Sequence, residues 1–203
     1  MRIKYPINLH KGMTALVVIS LMIVFDNYST GPWVYLALHG SYGLLWLFKS
    51  RTYPDSRWEE NVSVPYGILV FLALGLYWIA PYILIAQNKT PPDTILAAAV
   101  ALNMFGMVLH YGSDAQKYYT LQYKPGLITD GFCARCRNTN YLGELMIYVG
   151  FAMLSMSWMG YIGITLFFVF VFMPGMLRKE KSLSRYPAYA EYKKRTGFLW
   201  PWW

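Results

Sequence analysis

Long apolar runs constrain this chain more than any other feature. Residues 64–87 read VPYGILVFLALGLYWIAPYILIAQ without a single charge. About 17–25 apolar residues suffice to cross a bilayer. Further runs occupy 13–25, 32–48 and 95–111, and 142–177 is long enough for two spans turning at Trp158-Met159-Gly160. Backbone N–H and C=O groups in lipid must be satisfied within the segment, which favours helices. The expected fold is therefore an all-α, polytopic membrane bundle of about six transmembrane helices. Composition agrees: 14% of residues are charged, against about 25% in an ordinary soluble domain.

The basic residues orient this bundle. With six spans and both termini cytoplasmic, segments 1–12, 49–63, 112–141 and 178–203 lie on one side and carry three, three, four and seven Lys/Arg. Only Lys89 falls in a loop on the other side. Cytoplasmic loops collect Lys and Arg, so the net charge of +8 reads as a topology signal and a means of holding anionic lipid. It does not read as a nucleic-acid patch. The N-terminus has the basic-then-apolar order of a signal peptide. Phe25-Asp26-Asn27 ends the run with no small-residue cleavage site, so a retained span is expected. No internal repeat or low-complexity stretch interrupts what reads as a single membrane-embedded domain over 1–203.

Ionisable residues within spans are costly, about 2.5–3.5 kcal/mol at the centre, and are candidates for function. His39 and Tyr42 lie inside the second apolar run, with Trp46 and Lys49 following on one helical stripe; His39 and Tyr42 could equally satisfy each other in the core. Asn103, His110 and Asp114 share a face of the fourth span, which Lys117 and Tyr118 continue. Asp114 and Lys117 could alternatively form an exposed ion pair, worth little. Glu144 opens the fifth span, where the helix dipole favours a carboxylate, and Asn140 is the expected N-cap. Capping leaves Arg137, Asn138 and Tyr141 unexplained. In the tail, Arg178, Ser182 and Tyr186 recur at four-residue steps, although a polybasic, membrane-hugging tail is the plainer reading.

The chain's two cysteines form Cys133-Ala134-Arg135-Cys136. Structural zinc takes four ligands, and His10, His39 and His110 have no ligand spacing to this pair, so no metal site is expected. A thioredoxin-like role expects a βαβ setting. Arg135 and Arg137 could lower a thiol pKa, which would leave the pair oxidisable, though on the cytoplasmic side it should stay reduced.

Asp114 through Tyr141, with Asn-Tyr-Leu-Gly-Glu at 140–144, resembles the C-terminal part of the steroid 5-alpha-reductase family. That superfamily includes sterol double-bond reductases and isoprenylcysteine carboxyl methyltransferases. The resemblance covers about 103–201 and includes Ser113-Asp114, Lys124-Pro125-Gly126, Gly131 and the Arg178, Tyr186, Tyr192, Pro201 spacing. It implies NADPH in a cytosol-facing cavity formed by the C-terminal half, about 103–203. Asp114, Asn140 and Glu144 would bind the ribose and nicotinamide, and Arg178 a phosphate. Tyr186 would lie near the adenine, with Lys117, Lys124 and Arg137 as further phosphate partners and Tyr141 and Ser182 alongside. The reaction implied is reduction of an alkene conjugated to a carbonyl, with Tyr42, helped by His39, polarising the oxygen and Glu144 completing the catalytic set. The substrate would be a lipid, isoprenoid or steroid-like molecule reaching the site from the bilayer. The membrane would be a bacterial inner membrane or the endoplasmic reticulum.

Three positions depart from the reductase pattern. Ser182 stands where that family has histidine, and the only acid before Tyr42 is Asp26, sixteen residues away. The chain is also shorter than a steroid reductase. The related methyltransferases, which use S-adenosylmethionine, carry Arg-His-Pro-x-Tyr-x-Gly. Here residues 137–143 keep the Arg, Tyr and Gly but replace His and Pro. Their paired tail glutamates are represented by Glu180 alone. A lipid-binding protein without catalysis is the third alternative.

Overall fold

In the computed structural model, residues 1–201 are described, and among them every regular element is helical. The helices are α1 (Lys4–Val24), α2 (Thr30–Tyr35), α3 (Ser41–Thr52), α4 (Val64–Leu74), α5 (Ile79–Ala86), α6 (Asp93–Tyr123), α7 (Thr139–Leu154), α8 (Ile162–Phe167), α9 (Met173–Leu183) and α10 (Tyr189–Lys194). Short π and 3-10 turns join several of them into longer rods. Lys4–Val24, Val64–Ala86, Asp93–Tyr123 and Trp158–Leu183 are long and apolar enough to cross a membrane. The architecture is consistent with a helical membrane bundle. The first span starts well before residue 13, and this takes Lys11 out of the N-terminal loop and into the helix. The rod from α2 to α3 carries His39, Lys49 and Arg51, which lower its hydropathy, and α7 has 16 residues, about 24 Å at 1.5 Å per residue.

The breaks in the rods follow from sequence. Pro81 has no N–H and crowds the carbonyl four residues back, and the chain tightens to a 3-10 turn over Gly75–Trp78. Pro174 acts similarly behind the π turn Phe168–Phe172. Ser63 caps α4, accepting from the Tyr66 amide at 3.4 Å. The turn expected at Trp158-Met159-Gly160 sits earlier. α7 stops at Leu154 and reverses through Met156, in the left-handed region with φ 49°. Ser155 Oγ bonds the Ala152 carbonyl at 2.7 Å there. Trp158–Tyr161 is instead the first turn of the next rod.

The chain divides into two compact units whose segments alternate along the sequence. The first contains residues 1–103 and 148–164. Its interior is aromatic and aliphatic: Tyr35, Tyr42, Leu84, Ile85, Phe151 and Leu154 are all inaccessible or nearly so. Leu16, Ile23, Leu44, Phe48, Leu69 and Leu72 point outward, an apolar exterior suited to lipid. Asn27 closes the α1–α2 turn by donating to the Ile85 carbonyl at 2.9 Å and accepting from Ser29 Oγ at 2.8 Å. The N-terminus is tied down by Arg2 and Lys4, which pair with Glu59 at 2.8 and 2.6 Å.

The second unit contains residues 104–147 and 165–203. Here α6 and α7 meet backbone to backbone. A Cβ on Gly106 would sit 2.6 Å from the Gly143 carbonyl oxygen, and one on Gly143 would sit 2.5 Å from that of Gly106. Small residues allow such close helix approach in membranes. Gly106→Ala is therefore expected to lower stability by about 1–3 kcal/mol through overpacking. Gly75→Ala, with nothing within 4 Å of the new methyl and φ of −56°, should be neutral. Melting of both variants in detergent checks this.

Candidate functional site

Two polar clusters stand out, one in each unit. In the first unit the cluster forms around Lys11, which is 3% exposed. Its ammonium donates to the Tyr42 hydroxyl at 3.2 Å and to the Tyr148 hydroxyl. It also lies 4.3, 4.9 and 4.8 Å from the ring centroids of Tyr42, Trp46 and Tyr148. Cation–π attraction of this kind strengthens when desolvated. Gly43 makes the arrangement possible, since a Cβ there would collide with the Lys11 carbonyl; α1 thus touches α3 one residue after Tyr42. Tyr148 stacks on Tyr77 with centroids 3.9 Å apart. Trp46 also lines a cleft with Lys4, Ile7, Asn8, Lys49 and Trp58.

His39 sits in the π turn Leu36–Gly40, a helix irregularity that frequently marks functional positions. Its ring stacks on Phe151 at 4.1 Å and lies 6.3 Å from the rings of Tyr42 and Tyr148. Nδ1 is 2.9 Å from the Tyr35 hydroxyl, while Nε2 is buried without a hydrogen-bond partner. The structure thus brings the expected pair, His39 and Tyr42, together, and adds Lys11 and Tyr148, which sequence reasoning missed. By sequence alone Lys11 is one of the charges of segment 1–12. The signal for Tyr148 was present in the three- and four-residue spacing of Tyr141, Glu144 and Tyr148. Asp26 is exposed at the far end of α1, roughly 20 Å along the helix from Lys11.

In the second unit, α6 presents His110, Ser113 and Asp114, all buried, and then Lys117, exposed. His110 Nδ1 is 3.1 Å from the Asn140 carbonyl, and its Nε2 is 4.0 Å from the Asp114 carboxylate. Asn140 is the second residue of α7, so it is not the N-cap; Asn138 precedes the helix and its carbonyl accepts from the Leu142 amide. Glu144 lies in the second turn of α7 and is half-buried. Tyr141 packs edge-on against Phe172 at 5.5 Å. Lys124, Arg178 and Ser182 are exposed. α9 ends at Leu183, so Tyr186 lies beyond it and does not continue the Arg178–Ser182 face. Arg185 links Ser182 and Tyr186, donating to Ser182 Oγ at 3.2 Å and to the Tyr186 hydroxyl at 3.1 Å.

Arg137 is buried, with Nε 2.9 Å from the Glu180 carboxylate and Nη1 donating to the carbonyls of Lys193 and Thr196. Its own carbonyl accepts from Lys179 Nζ at 2.6 Å. This guanidinium holds the tail against residues 135–138, helped by backbone bonds between Arg137 and Gly197 and between Gly197 and Arg135. Asn138 donates to the Phe198 carbonyl at 3.0 Å, but its buried Oδ1 has no hydrogen-bond partner. Cys136 donates to the Leu199 carbonyl at 3.1 Å, and both cysteines are free thiols. Burial pushes the Cys133 thiol up, which outweighs the opposing effect of Lys179. The net shift is thus opposite to the lowering that neighbouring cations could have produced.

The residue types in this unit are ones that could hold a dinucleotide. Lys117, Lys124, Arg178 and Arg185 offer cations, Asn140 and the unsatisfied Asn138 offer amides, and Asp114 and Glu144 offer carboxylates for ribose hydroxyls. The family model described as "Protein of unknown function (DUF1295)" matches residues 51–196. No curated protein and no solved structure matches the chain.

Two outcomes follow from the tail. Arg137→Met strands Glu180 and should cost roughly 2–4 kcal/mol, seen as a lower melting temperature and faster tryptic cleavage at Lys193–Arg195. Burial, reinforced by Glu180, pushes Tyr189 from 10.0 up to about 12. With the folded-state value raised, the unfolded chain loses this proton first. The stabilisation is intact below pH 10 and fades as pH rises towards 12. Tyr189→Phe should show a smaller loss of melting temperature across that window.

Proposed function

Because the chain belongs to the DUF1295 family, which is part of the steroid 5-alpha-reductase-like superfamily, we propose that it is a membrane-embedded, NADPH-dependent reductase. Its substrate is a conjugated double bond in a lipophilic molecule, and it resembles the steroid 5-alpha-reductases in its C-terminal half. The observation that carries this reading is the buried tyrosine centre of the first unit. Tyr42 is 0% exposed and its hydroxyl accepts a charged hydrogen bond from Lys11. A phenol held in this way suits activation of a carbonyl oxygen in a low-dielectric interior, where aligned donors are worth most. Methyl transfer from a sulfonium needs no such acid.

In this reading Asp114, Asn140 and Glu144 orient the ribose and nicotinamide amide. Lys117, Lys124, Arg178 and Arg185 neutralise phosphates. NADPH, when bound, supplies the hydride. Tyr42 hydrogen-bonds the carbonyl oxygen, and His39, bridged to Tyr35, fixes the wall beside it. Glu144 pairs with the cofactor amide. The apolar exterior of both units suits a lipid-soluble substrate arriving laterally, with the cofactor taken from the cytoplasm.

One observation favours a second reading, an S-adenosylmethionine-dependent methyltransferase. Arg137 and Lys179 are engaged by Glu180 and backbone carbonyls, which leaves fewer cations for phosphates. Ligand-induced stabilisation separates the two. NADPH should raise the melting temperature of the detergent-purified chain and S-adenosylmethionine should not; the opposite pattern overturns the reductase. Asn140→Ala and Glu144→Gln should each abolish the NADPH shift while leaving the apo melting temperature within a few degrees.

A further inference from the structure

The reductases that this chain resembles place an acid beside the catalytic tyrosine. In the first unit the partner of Tyr42 is a cation. Lys11 donates to both the Tyr42 and Tyr148 hydroxyls, so two phenol oxygens from separate helices converge on one ammonium. Three aromatic faces line that ammonium at 4.3–4.9 Å. The close contact of the Lys11 carbonyl with Gly43 fixes the backbone that carries it. Next to the cluster, His39 is 0% exposed and presents Nε2 with no hydrogen-bond partner. A buried polar atom left this way is costly, and an oxygen-bearing ligand would give it a partner.

Resting on the reductase reading, we propose that Lys11 is a positioning residue that sets Tyr42 and Tyr148 as a paired oxygen-binding site, with Tyr148 a second residue contacting substrate. The ligand is an apolar molecule bearing a conjugated carbonyl. When hydride adds to the β-carbon, the alkene π pair shifts and the carbonyl oxygen becomes an enolate. The negative oxygen is held by the two phenols and by the field of the Lys11 ammonium behind them. The α-carbon then takes a proton from water as the enolate leaves the two phenols, and the carbonyl re-forms. The alkene is reduced and NADPH is oxidised to NADP+. A carboxylate in the position of Lys11 would oppose the charge that develops on the oxygen, whereas the ammonium favours it. His39 Nε2 supplies a further polar contact at the rim of this oxygen site.

The test uses two probes of equal shape, 2-naphthol and naphthalene, of which only the first has an oxygen. Binding to the full-length chain in phosphatidylcholine nanodiscs is read by fluorescence and corrected for partition into protein-free discs. Wild type should prefer 2-naphthol by about tenfold or more, since a site built around hydrogen bonds rejects the analogue lacking them. Lys11→Met should bring the ratio close to parity, Tyr148→Phe should lower it severalfold, and Asp26→Asn should leave it unchanged. A purely structural role for Lys11 would weaken both probes in parallel and preserve the ratio. That result, or a wild-type chain without preference, overturns the proposal. If Lys11→Met fails to fold, an unchanged ratio in Tyr148→Phe overturns it alone. NADPH-induced stabilisation, measured on the same preparations, keeps the two ideas apart. Lys11-dependent preference without an NADPH shift sinks the reductase and leaves the oxygen site, while an NADPH shift with a Lys11-independent ratio does the reverse.

Discussion

A charged or hydrogen-bonding group inside an apolar bundle has no water to fall back on, so the protein must supply its partner. Much of this molecule is organised by that requirement. Lys11 is satisfied by two phenols and surrounded by three aromatic faces. Asn27 closes a turn by reaching the Ile85 backbone carbonyl near the end of α5. Arg137 spends its donors on Glu180 and two tail carbonyls. Each of these ties together segments far apart in sequence, and removing one partner strands the other in a medium that penalises it.

Against that background several buried polar atoms lack a hydrogen-bond partner, both side-chain atoms of Asn103 among them. His39 Nε2 in the first unit and Asn138 Oδ1 in the second are buried without partners. Both belong to side chains whose other polar atom is well satisfied, by Tyr35 and by the Phe198 carbonyl. Each side chain is thus anchored at one end and offers the other. This is the arrangement needed to orient a ligand without reorganising the protein when it binds.

Glycine sets how closely the polar groups can converge. Gly43 lets α3 contact the Lys11 carbonyl, and Gly106 with Gly143 lets α6 and α7 touch beside His110. These contacts involve backbone atoms, which cannot rotate away as a side chain could. The geometry of both clusters therefore depends on positions with no chemistry of their own.

The fold class was legible because hydropathy is a local property: a charge-free run such as 64–87 has few alternatives to a spanning helix. His39, Tyr42, Asp114 and Glu144 were also legible as candidates, because a polar residue in an apolar run is conspicuous by itself. The sequence could not assign partners. Lys11 looked like one more basic residue near a terminus, Arg137 like a phosphate ligand, and Arg178, Ser182 and Tyr186 like one helical stripe. Partnership depends on which distant segments pack together, and that is decided by non-local contacts: the Gly43 crossing that brings Lys11 to Tyr42, and the return of residues 193–199 to the 135–138 loop that consumes Arg137. Local pattern alone determined that this chain is helical, apolar and polar at chosen points. Tertiary packing decided which of those points are engaged in holding the protein together, because their partners come from segments distant in sequence.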